Sequence, residues 1–536
     1  MAQNDSFLDR VSLEDSTVFV IFANRILYEI IGIMKIIKGV LSVILLFGAM
    51  SLFGESIEPS HKENSCQKRM RDRGYGMFIH FGMNTYNGLE WSEGKDPASL
   101  YNPTELDCEQ WVKTARDAGF RYVLLVTKHH DGFCLWDSAV TDYDVASSGN
   151  TTDVVKGVSD ACRKYGLEFG IYYSLWDRHE PSYKAEDFSG YQKFMDDQLT
   201  ELLTNYGDIC EIWFDGGWDR VPSDWNIPHI YELVKKLQPN CAMGVNNSAM
   251  RGDIDLNEVV NYGVDNPDYM TGEDDIHFRY FPMDFRLKDP YIANWNDKKV
   301  YNINGNDYYL PFEHTICLSK QWNWFQKDVA METRAIDELE ELFYRAMANN
   351  NTLVVNVPPD QRGLLRQNEI NTLMELRDRI GISPVGKKLK HNKLNRPISI
   401  GRPCSASTEY NTTDYTAKKA FDGGLYRRWA STELTGWLEV ELDPKKSFNR
   451  ISIFEYMDEV VAPDGFSRKR ANRITSYTID AYKNGAWETI YVSTEPMGDC
   501  KVINFAEPQR AEKLKLNILS ATAPPSIYEF SVYGVE

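Results

Sequence analysis

The chain has 536 residues, which predicts two or three domains, or one large barrel with an added module. Hydrophobic residues make up 43% of it, enough for an ordinary globular core, and this excludes a disordered chain. The formal net charge of −19 repels phosphate backbones and argues against nucleic acid as a partner, whereas a neutral substrate is compatible with it.

The N-terminal region contains an apolar run at residues 40–53 that follows a short cationic stretch. This order is typical of a secretory signal, and the run is too short to span a membrane comfortably as a mature helix. Residues 1–33 are rich in acidic side chains, which does not suit the start of a signal. We therefore expect a start near Met34, with residues 1–33 as extra upstream sequence and residues 34–57 as the signal peptide of a secreted or periplasmic protein. The alternative is an uncleaved amphipathic anchor.

From about residue 70 the sequence alternates strand and helix patterns. Near-continuous apolar runs, typical of strands buried on both faces, occupy residues 75–82, 121–130, 167–175 and 209–217. Gly119, Gly166 and Gly207 each end a helical pattern immediately before a strand, as helix-terminating glycines do. The repeated helix–glycine–strand unit predicts a (β/α)8-like (TIM-type) barrel over residues 66–380.

The end of this barrel and the region after it differ in pattern. Helix 332–348, strand 352–360 and helix 366–380 are predicted to complete the barrel, and residues 381–396 form a linker rich in Lys, Gly and Pro. Short alternating strands without a helical period follow, which predicts a C-terminal β-sandwich over residues 397–536.

The nine cysteines include no CxxC pair, and their number is odd. Several lie inside apolar strand or helix patterns. We expect buried free thiols and neither a disulfide framework nor a zinc site, with one or two bridges left open.

Polar residues stand at the ends of four successive predicted strands, where a (β/α) barrel carries its reactive groups. These residues are His80, then His129 and His130, then Tyr172 and Tyr173, then Trp213 and Asp215. Two glycines after Asp215 leave open space above its carboxylate. A ligand site at this end of the barrel is therefore expected.

Nucleophile elbows, P-loops and dinucleotide-binding glycine motifs are missing from the sequence, as is a run of Cys and His ligands near Asp215. The chemistry that remains for this site is that of carboxylate side chains. Glycoside hydrolysis needs two carboxyl groups, one to attack the anomeric carbon and one to protonate the leaving oxygen.

Six motifs in collinear order resemble the α-L-fucosidases of glycoside hydrolase family 29. They are MFIHFG (77–82), GLEW (88–91), KHHDGFCLWDS (128–138), IYYSLWDRHEPSY (171–183), LTELLTNYGDICEIWFDGGW (199–218) and NTLVVNVPPDQRGLL (351–365). The resemblance covers roughly residues 70–380. It implies that Asp215 is the nucleophile. Because a carboxylate must be ionised to attack, we expect hydrogen bonds or cationic neighbours to keep Asp215 charged, and His129 or His130 are available for this.

The resemblance also implies a set of pocket residues that hold the fucose ring. They are His80, Glu90, Trp91, His129, His130, Tyr173 and Trp213. Strand alternation sends only one of two adjacent tyrosines inward, so Tyr172 is the alternative to Tyr173.

The family's acid/base is a Glu in a loop after the fourth strand, often in a stretch like Asp-aromatic-x-Thr-Pro-Glu. Residues 268–273 match that stretch except that Gly replaces Pro, which implies Glu273; Glu258 and Asp289 are competitors. The family's sugar-binding Arg has no clear match, and Arg251 is the nearest candidate.

Residues 397–536 resemble a discoidin-like (coagulation-factor type C) module, through residues 404–431 and GWLEVEL at 436–442. The resemblance implies a second sugar site or a structural lid on the barrel. It also implies a possible structural Ca²⁺ near Asp422, although two arginines precede Trp429 where a Thr is common.

The expected function is that of a secreted exo-acting retaining α-L-fucosidase on fucosylated glycans, with no catalytic metal or organic cofactor. Two alternatives are a catalytically silent sugar-binding protein on the same barrel and an exo-glycosidase for another pyranose. The fucosyl linkage and the oligomeric state stay open.

Overall fold

The computed structural model describes the chain from residue 57 to residue 535 with several gaps. The described ranges are 57–251, 270–271, 276–288, 292, 294–295, 297–320, 322, 324–325, 332–348, 350–384, 386–461 and 468–535. The predicted upstream segment 1–33 and all of the predicted signal except Ile57 lie outside them, as do Glu273, Glu258 and Asp289.

Eight parallel strands form an almost closed barrel, which confirms the predicted fold. They are β1 (Tyr75–Ile79), β2 (Tyr122–Lys128), β3 (Glu168–Ser174), β4 (Glu211–Asp215), β5 (Ala242–Val245), β6 (Arg286–Leu287), β7 (Phe312–Cys317) and β8 (Thr352–Asn356). Their order in the sheet is β5-β4-β3-β2-β1-β8-β7-β6. Between the two end strands, the Asp284 N–H donates to the Met243 carbonyl oxygen over 2.8 Å.

Helices surround the strands. They are α1 (Ser65–Arg73), α2 (Met83–Asn87), α3 (Cys108–Asp117), α4 (Val154–Tyr165), α5 (Ser189–Asn205), α6 (Ile227–Leu237), α7 (Ile336–Ala348) and α8 (Gln367–Ile380). Single 3₁₀ turns cover Ala98–Leu100, Val145–Ser147, Pro181–Lys184, Gly217–Asp219, Pro222–Trp225 and Ala417–Phe421. No helix in the described ranges is both long and apolar enough to cross a membrane.

Helix α4 illustrates why the sequence folds into this repeating unit. The Asp153 side chain accepts a hydrogen bond from the Lys156 N–H and so caps the first turn. Val154, Val158 and Cys162 lie on its buried face, as the apolar spacing predicts. Gly166 ends the helix with φ of 75°, a left-handed conformation that glycine adopts without a Cβ clash.

Side chains inside the barrel and those between the barrel and its helices form two separate hydrophobic clusters. The inner cluster includes Phe78, Val126, Tyr172 and Trp213. Tyr173 belongs to the outer cluster, because adjacent residues of a strand point to opposite faces. Strand alternation therefore decides which side chains reach the upper end of the barrel.

The C-terminal region is a β-sandwich of two antiparallel sheets, as predicted. Its strands are β9 (Cys404–Ala406), β10 (Trp429–Ala430), β11 (Gly436–Glu441), β12 (Ser447–Glu455), β13 (Ile474–Lys483), β14 (Ala486–Ser493), β15 (Cys500–Gln509), β16 (Lys513–Ala521) and β17 (Ser526–Val535). The sheet orders are β9-β11-β16-β13-β14 and β10-β17-β12-β15.

Seven short strands outside the barrel and the sandwich form small ribbons. They are Ala249–Arg251, Met270–Thr271, Ile276–Phe278, Val300–Ile303, Asn306–Tyr309, Asp458–Val461 and Arg468–Ala471. The first three pair in one sheet, and the other four pair as two hairpins.

Buried ion pairs and hydrogen bonds join the sandwich to helix α7 of the barrel. Arg450 donates to Glu340 over 3.0 Å and to Glu341 over 3.2 Å. Arg345 on the same helix donates to the carbonyl oxygen of Gly423 over 2.9 Å. Removing one partner of such a buried pair would leave an uncompensated charge and so destabilise the protein.

All nine cysteines lie in the described ranges and are free thiols, which confirms the prediction of free thiols. Six are buried, and Cys108, Cys210 and Cys404 are half-buried.

Candidate active site

A cavity of about 170 Å³ opens where the barrel strands end. Its lining residues are His80, Glu90, Trp91, His129, His130, Trp213, Asp215, Trp218, Asn246, Asn247, Lys288 and Trp322. Seven of these are residues that the sequence predicts for the site. A larger cavity, about 480 Å³, lies where β3 and β4 begin, and it is lined by Arg69, Arg73 and Arg163 among others. We assign the site to the smaller cavity because reactive groups of such barrels stand at the strand ends.

Asp215 is the last residue of β4, and its side chain is held from two sides. The Tyr172 hydroxyl donates to Asp215 Oδ2 over 2.8 Å, and Asn246 Nδ2 donates to Asp215 Oδ1 over 3.0 Å. The residue is only 8% exposed. This arrangement fixes the carboxylate while leaving it at the cavity wall, as attack on a bound ligand requires.

Burial raises the pKa of Asp215 to about 6, and the hydrogen bonds from Asn246 and Tyr172 oppose that rise. Of the two expected supports for the charge, the hydrogen bonds are present, and the histidines add no positive charge. His130 Nε2 lies 3.8 Å from Asp215 Oδ2, but burial lowers the pKa of His130 to about 3, so the ring is neutral at working pH. Burial likewise lowers the pKa of His129. Neutral donors therefore hold the carboxylate.

Asp215→Asn is expected to stabilise the protein at pH 8 but not at pH 4. The pKa of Asp215 in the folded protein lies about two above the ordinary value, so the cost of the buried charge grows as the pH rises from about 4 to about 6 and is complete above it. That cost corresponds to at most about 3 kcal/mol. Thermal unfolding of both proteins at the two pH values measures it, with Asp142→Asn, at an exposed position, as the control. A variant less stable than the parent at pH 8 contradicts the interpretation.

Strand β2 contains an irregularity shortly before the two adjacent histidines that line the cavity. Val126 pairs with Tyr172, but Lys128 pairs with Tyr173, so Thr127 is an extra residue in the register. Such a bulge re-aims the side chains that follow it. The His129 ring then stacks against Tyr172 at 5.9 Å between ring centroids, and Lys128 points away, to Asp177 at 2.7 Å.

Tyr172, and not Tyr173, is the tyrosine of the site. The Tyr173 hydroxyl donates to Gln198 over 2.8 Å and accepts from Lys128, both on the outer side of the barrel. The prediction that Tyr173 is the pocket tyrosine is therefore wrong, and the alternative, Tyr172, takes its place. Asp215 points inward and pairs with Ser174 of β3, so Ser174 points inward too. Tyr172 stands two residues before Ser174 and therefore points to the same side of the strand.

Glu90 and Trp91 stand on the loop after α2. Asn84 holds this loop by donating to the carbonyl oxygens of Leu89 and Glu90 over 2.7 and 2.9 Å. Burial and, to a smaller extent, repulsion by Asp215 raise the pKa of Glu90 to about 7, while a hydrogen bond from Trp322 opposes the rise. Among the described residues that line the cavity, Glu90 is the one carboxyl group besides Asp215.

Two polar ring atoms at the cavity have no hydrogen-bond partner among the described residues: Trp213 Nε1 and His129 Nδ1. His80 differs, because its Nδ1 lies 2.9 Å from Asn356 Oδ1. Unpartnered buried polar atoms carry a free-energy cost unless a ligand or water satisfies them. Hydroxyl groups of a bound sugar are suitable partners.

Asn246, Lys288 and Trp322 line the cavity without having been singled out from the sequence. Asn246 follows β5 directly, so the rule that found the other strand-end residues also applies to it. Lys288 follows β6, a strand of two residues with no readable pattern. Arg251 ends a short strand of the Ala249–Arg251 ribbon, and only its backbone is described.

Comparison with protein families identifies the barrel. The model of the alpha-L-fucosidase family matches residues 94–379, more than half of the chain. The chain belongs to the alpha-L-fucosidase family. It is therefore a glycoside hydrolase by family, and the F5/8 type C domain model matches residues 403–530 of its sandwich.

Individual fucosidases are similar over most of the chain. Alpha-L-fucosidase 1 of Arabidopsis thaliana is 29% identical over 469 residues, which cover 85% of this chain and 84% of that protein. Tissue alpha-L-fucosidase of Homo sapiens is 33% identical over 330 residues, 60% of this chain and 61% of that protein. The crystal structure of a glycoside hydrolase 29 family member from an unknown rumen bacterium shares the fold, with a TM-score of 0.51, 23% identity and coverage of 89% of this chain and 78% of that one.

The calcium site that the module resemblance implies does not fit the contacts of Asp422. One carboxylate oxygen accepts from the Gly424 N–H over 2.9 Å, and the other accepts from Arg427 Nε over 3.0 Å. A guanidinium thus occupies the position beside the carboxylate that a cation would take. No group of three or more metal-ligating side chains occurs in the described part of the chain.

Proposed function

We propose that the protein is an exo-acting retaining α-L-fucosidase that removes terminal fucose from glycans by double displacement. One observation carries the proposal: the Asp215 carboxylate, held by Tyr172 and Asn246, stands at the wall of a small cavity at the strand ends of the barrel. Retaining glycoside hydrolysis needs a carboxylate placed in this way to attack the sugar, together with a second carboxyl group that transfers a proton.

In the first displacement, Asp215 attacks the anomeric carbon and the bond to the aglycone oxygen breaks, giving a glycosyl-enzyme. Two hydrogen bonds hold its oxygens, so little reorganisation is needed at the moment of attack. In the second displacement, water attacks the same carbon and returns Asp215 as a free carboxylate. Two inversions give net retention.

The leaving oxygen needs a proton, and the same group then takes a proton from the attacking water. The family motif assigns this role to Glu273. Glu90 has the electrostatic property that the role demands, because its raised pKa of about 7 keeps it mostly protonated at mildly acidic pH. We propose Glu273 as the acid/base and Glu90 as a hydrogen-bond donor to the sugar. The kinetics of variants at the two positions can distinguish these roles. The proposal uses no metal.

The size and lining of the cavity support exo action on one sugar. Its volume of about 170 Å³ is below the range of roughly 300–1,000 Å³ typical of sites for drug-sized ligands. His129 and Trp213 supply polar ring atoms without partners among the described residues, which suits a ring with several hydroxyl groups.

A panel of nitrophenyl glycosides tests the proposal against its two rivals. We expect hydrolysis of the α-L-fucoside at least 100-fold faster in kcat/KM than of the α- and β-galactosides or β-glucoside, or about 2.7 kcal/mol of discrimination. Binding of fucose without hydrolysis would favour the silent sugar-binding protein. Faster hydrolysis of another pyranoside would favour the related exo-glycosidase.

We further propose that the protein is exported and meets its glycan substrates outside the cytoplasm. The cationic stretch and apolar run ahead of residue 54 support this. N-terminal sequencing of the protein recovered outside the cell tests it, because retention of residues 1–33 would contradict the expected start near Met34.

A further inference from the structure

Three tryptophan side chains stand together at the mouth of the cavity. The ring of Trp91 lies 5.9 Å from that of Trp176 and 6.1 Å from that of Trp218. Trp91 is 50% exposed, and the other two are half-buried. An exposed apolar patch beside a cavity marks a place where something binds. Trp91 and Trp218 line the cavity, and Trp176, which touches Trp91, also packs against the hydrophobic core of the barrel.

Trp91, Trp176 and Trp218 together form what we call the tryptophan wall, and it begins beside the proposed nucleophile. The His130 ring, in the cavity, lies 5.3 Å from Trp176 and 5.5 Å from Trp218. A Cβ on Gly216, the residue after Asp215, would come within 2.7 Å of Trp176 Cβ. Because the cavity holds one sugar, the rest of an exo-cleaved glycan stands at its mouth, within reach of these rings.

The charged side chains at the wall are held in ion pairs and hydrogen bonds. Arg178 lies 5.1 Å from the centre of the Trp176 ring and donates to the Trp91 carbonyl oxygen over 2.9 Å. The same guanidinium forms an ion pair with Glu93, which also lies 3.7 Å from Lys95. These contacts hold the two loops together, and they leave Glu93 without an unpaired negative charge at the wall.

We propose that Trp91, Trp176 and Trp218 form a subsite for a neutral pyranose, the sugar from which fucose is cleaved. The inference rests on the proposed fucosidase function. One apolar C–H face of that sugar packs on the rings, whose area supplies binding energy with little loss of side-chain entropy. Trp176 is the key residue, because it lies outside the lining of the fucose cavity.

Two substrates separate the subsite from the cavity. The first, α-L-fucosyl fluoride, has no second sugar and needs no proton for its leaving group. The second is whichever fucosyl-N-acetylglucosamine or fucosyl-galactose disaccharide the parent enzyme cleaves fastest. For Trp176→Ala, we expect the ratio of kcat/KM for the disaccharide to kcat/KM for the fluoride to fall about tenfold, mostly through KM. Trp176→Phe, which keeps a ring, should restore most of the ratio.

Trp487→Ala is the matched control, because Trp487 is an exposed tryptophan on strand β14 of the sandwich. An unchanged ratio in both Trp176 variants would overturn the subsite, and hydrolysis of the fluoride shows that they are folded. A disaccharide with a charged second sugar that the parent enzyme cleaves faster than the neutral ones would also overturn it. If the parent enzyme cleaves neither substrate, the proposed function fails, and the subsite fails with it.

Discussion

Asp215→Ala is expected to lower kcat on a nitrophenyl α-L-fucoside by about 10⁴-fold, or about 5.4 kcal/mol of transition-state stabilisation. Without the carboxylate no glycosyl-enzyme can form, and the hydrogen bonds from Tyr172 and Asn246 lose their acceptor. The fold should survive, because removing Asp215 also removes a buried charge. Initial rates and thermal unfolding of the same preparation measure both effects.

Added azide should restore turnover of Asp215→Ala by entering the space that the carboxylate leaves. Azide then attacks in a single displacement, so the product should be the β-fucosyl azide, with inverted configuration at C1, which proton NMR identifies. Asp219→Ala is the matched control: its carboxylate stands on the same loop and is exposed, and we expect nearly full activity. An α-fucosyl azide, or full activity of Asp215→Ala without azide, would contradict the role of Asp215.

The second large effect concerns the proton donor. Glu273→Gln should lower kcat/KM for a fucosyl disaccharide by about 10²–10⁴-fold, because the alkoxide leaving group then departs without a proton. It should spare α-L-fucosyl fluoride, whose leaving group needs none. The comparison of these two substrates measures proton donation separately from sugar binding.

Glu90→Gln is the companion variant, because Glu90 lines the cavity and has a raised pKa. As a residue that binds the sugar, it should lower kcat/KM for both substrates by a similar factor. If Glu90→Gln instead spares the fluoride while Glu273→Gln is harmless, the proton donor is Glu90. In that case the basic limb of the pH–rate profile should also disappear in Glu90→Gln, since that limb reports loss of the acid's proton.

The barrel could be predicted because its units repeat. Glycines such as Gly166 end helices in the left-handed conformation, and continuous apolar runs follow them. Strand β6 escaped prediction because it has two residues. Such a short element carries no periodicity, and hydrogen bonds to its neighbours define it.

The upper end of the barrel was predictable only where a strand leads directly into the site. Asp215, His80 and Trp213 follow this rule. The choice between Tyr172 and Tyr173 needed the register of β3 against β4, which depends on tertiary pairing. The histidine pair was predicted from its place after a strand, but the bulge at Thr127 ahead of it was not, because no composition signals a bulge.

Of the loop residues around the site, the family resemblance predicted Glu90 and Trp91, but nothing in the sequence singled out Trp322 or Trp176. Trp322 reaches the cavity from the long connection after β7, where its ring lies 4.8 Å from that of His80. Trp176 joins the tryptophan wall because Gly216 allows a close backbone approach. Both depend on how separate connections meet in space, and no local pattern encodes that.

The most direct test of the central claim is covalent trapping of the glycosyl-enzyme. A 2-deoxy-2-fluoro-L-fucosyl fluoride slows both displacements, because fluorine at C2 destabilises the oxocarbenium-like transition state. Its good leaving group keeps the first step faster than the second, so the intermediate accumulates. Proteolysis and mass spectrometry should find one fluorofucosyl group per chain, on the peptide that contains Asp215, and none in Asp215→Ala. Label on another residue, or turnover of the reagent without any covalent adduct, would contradict the account.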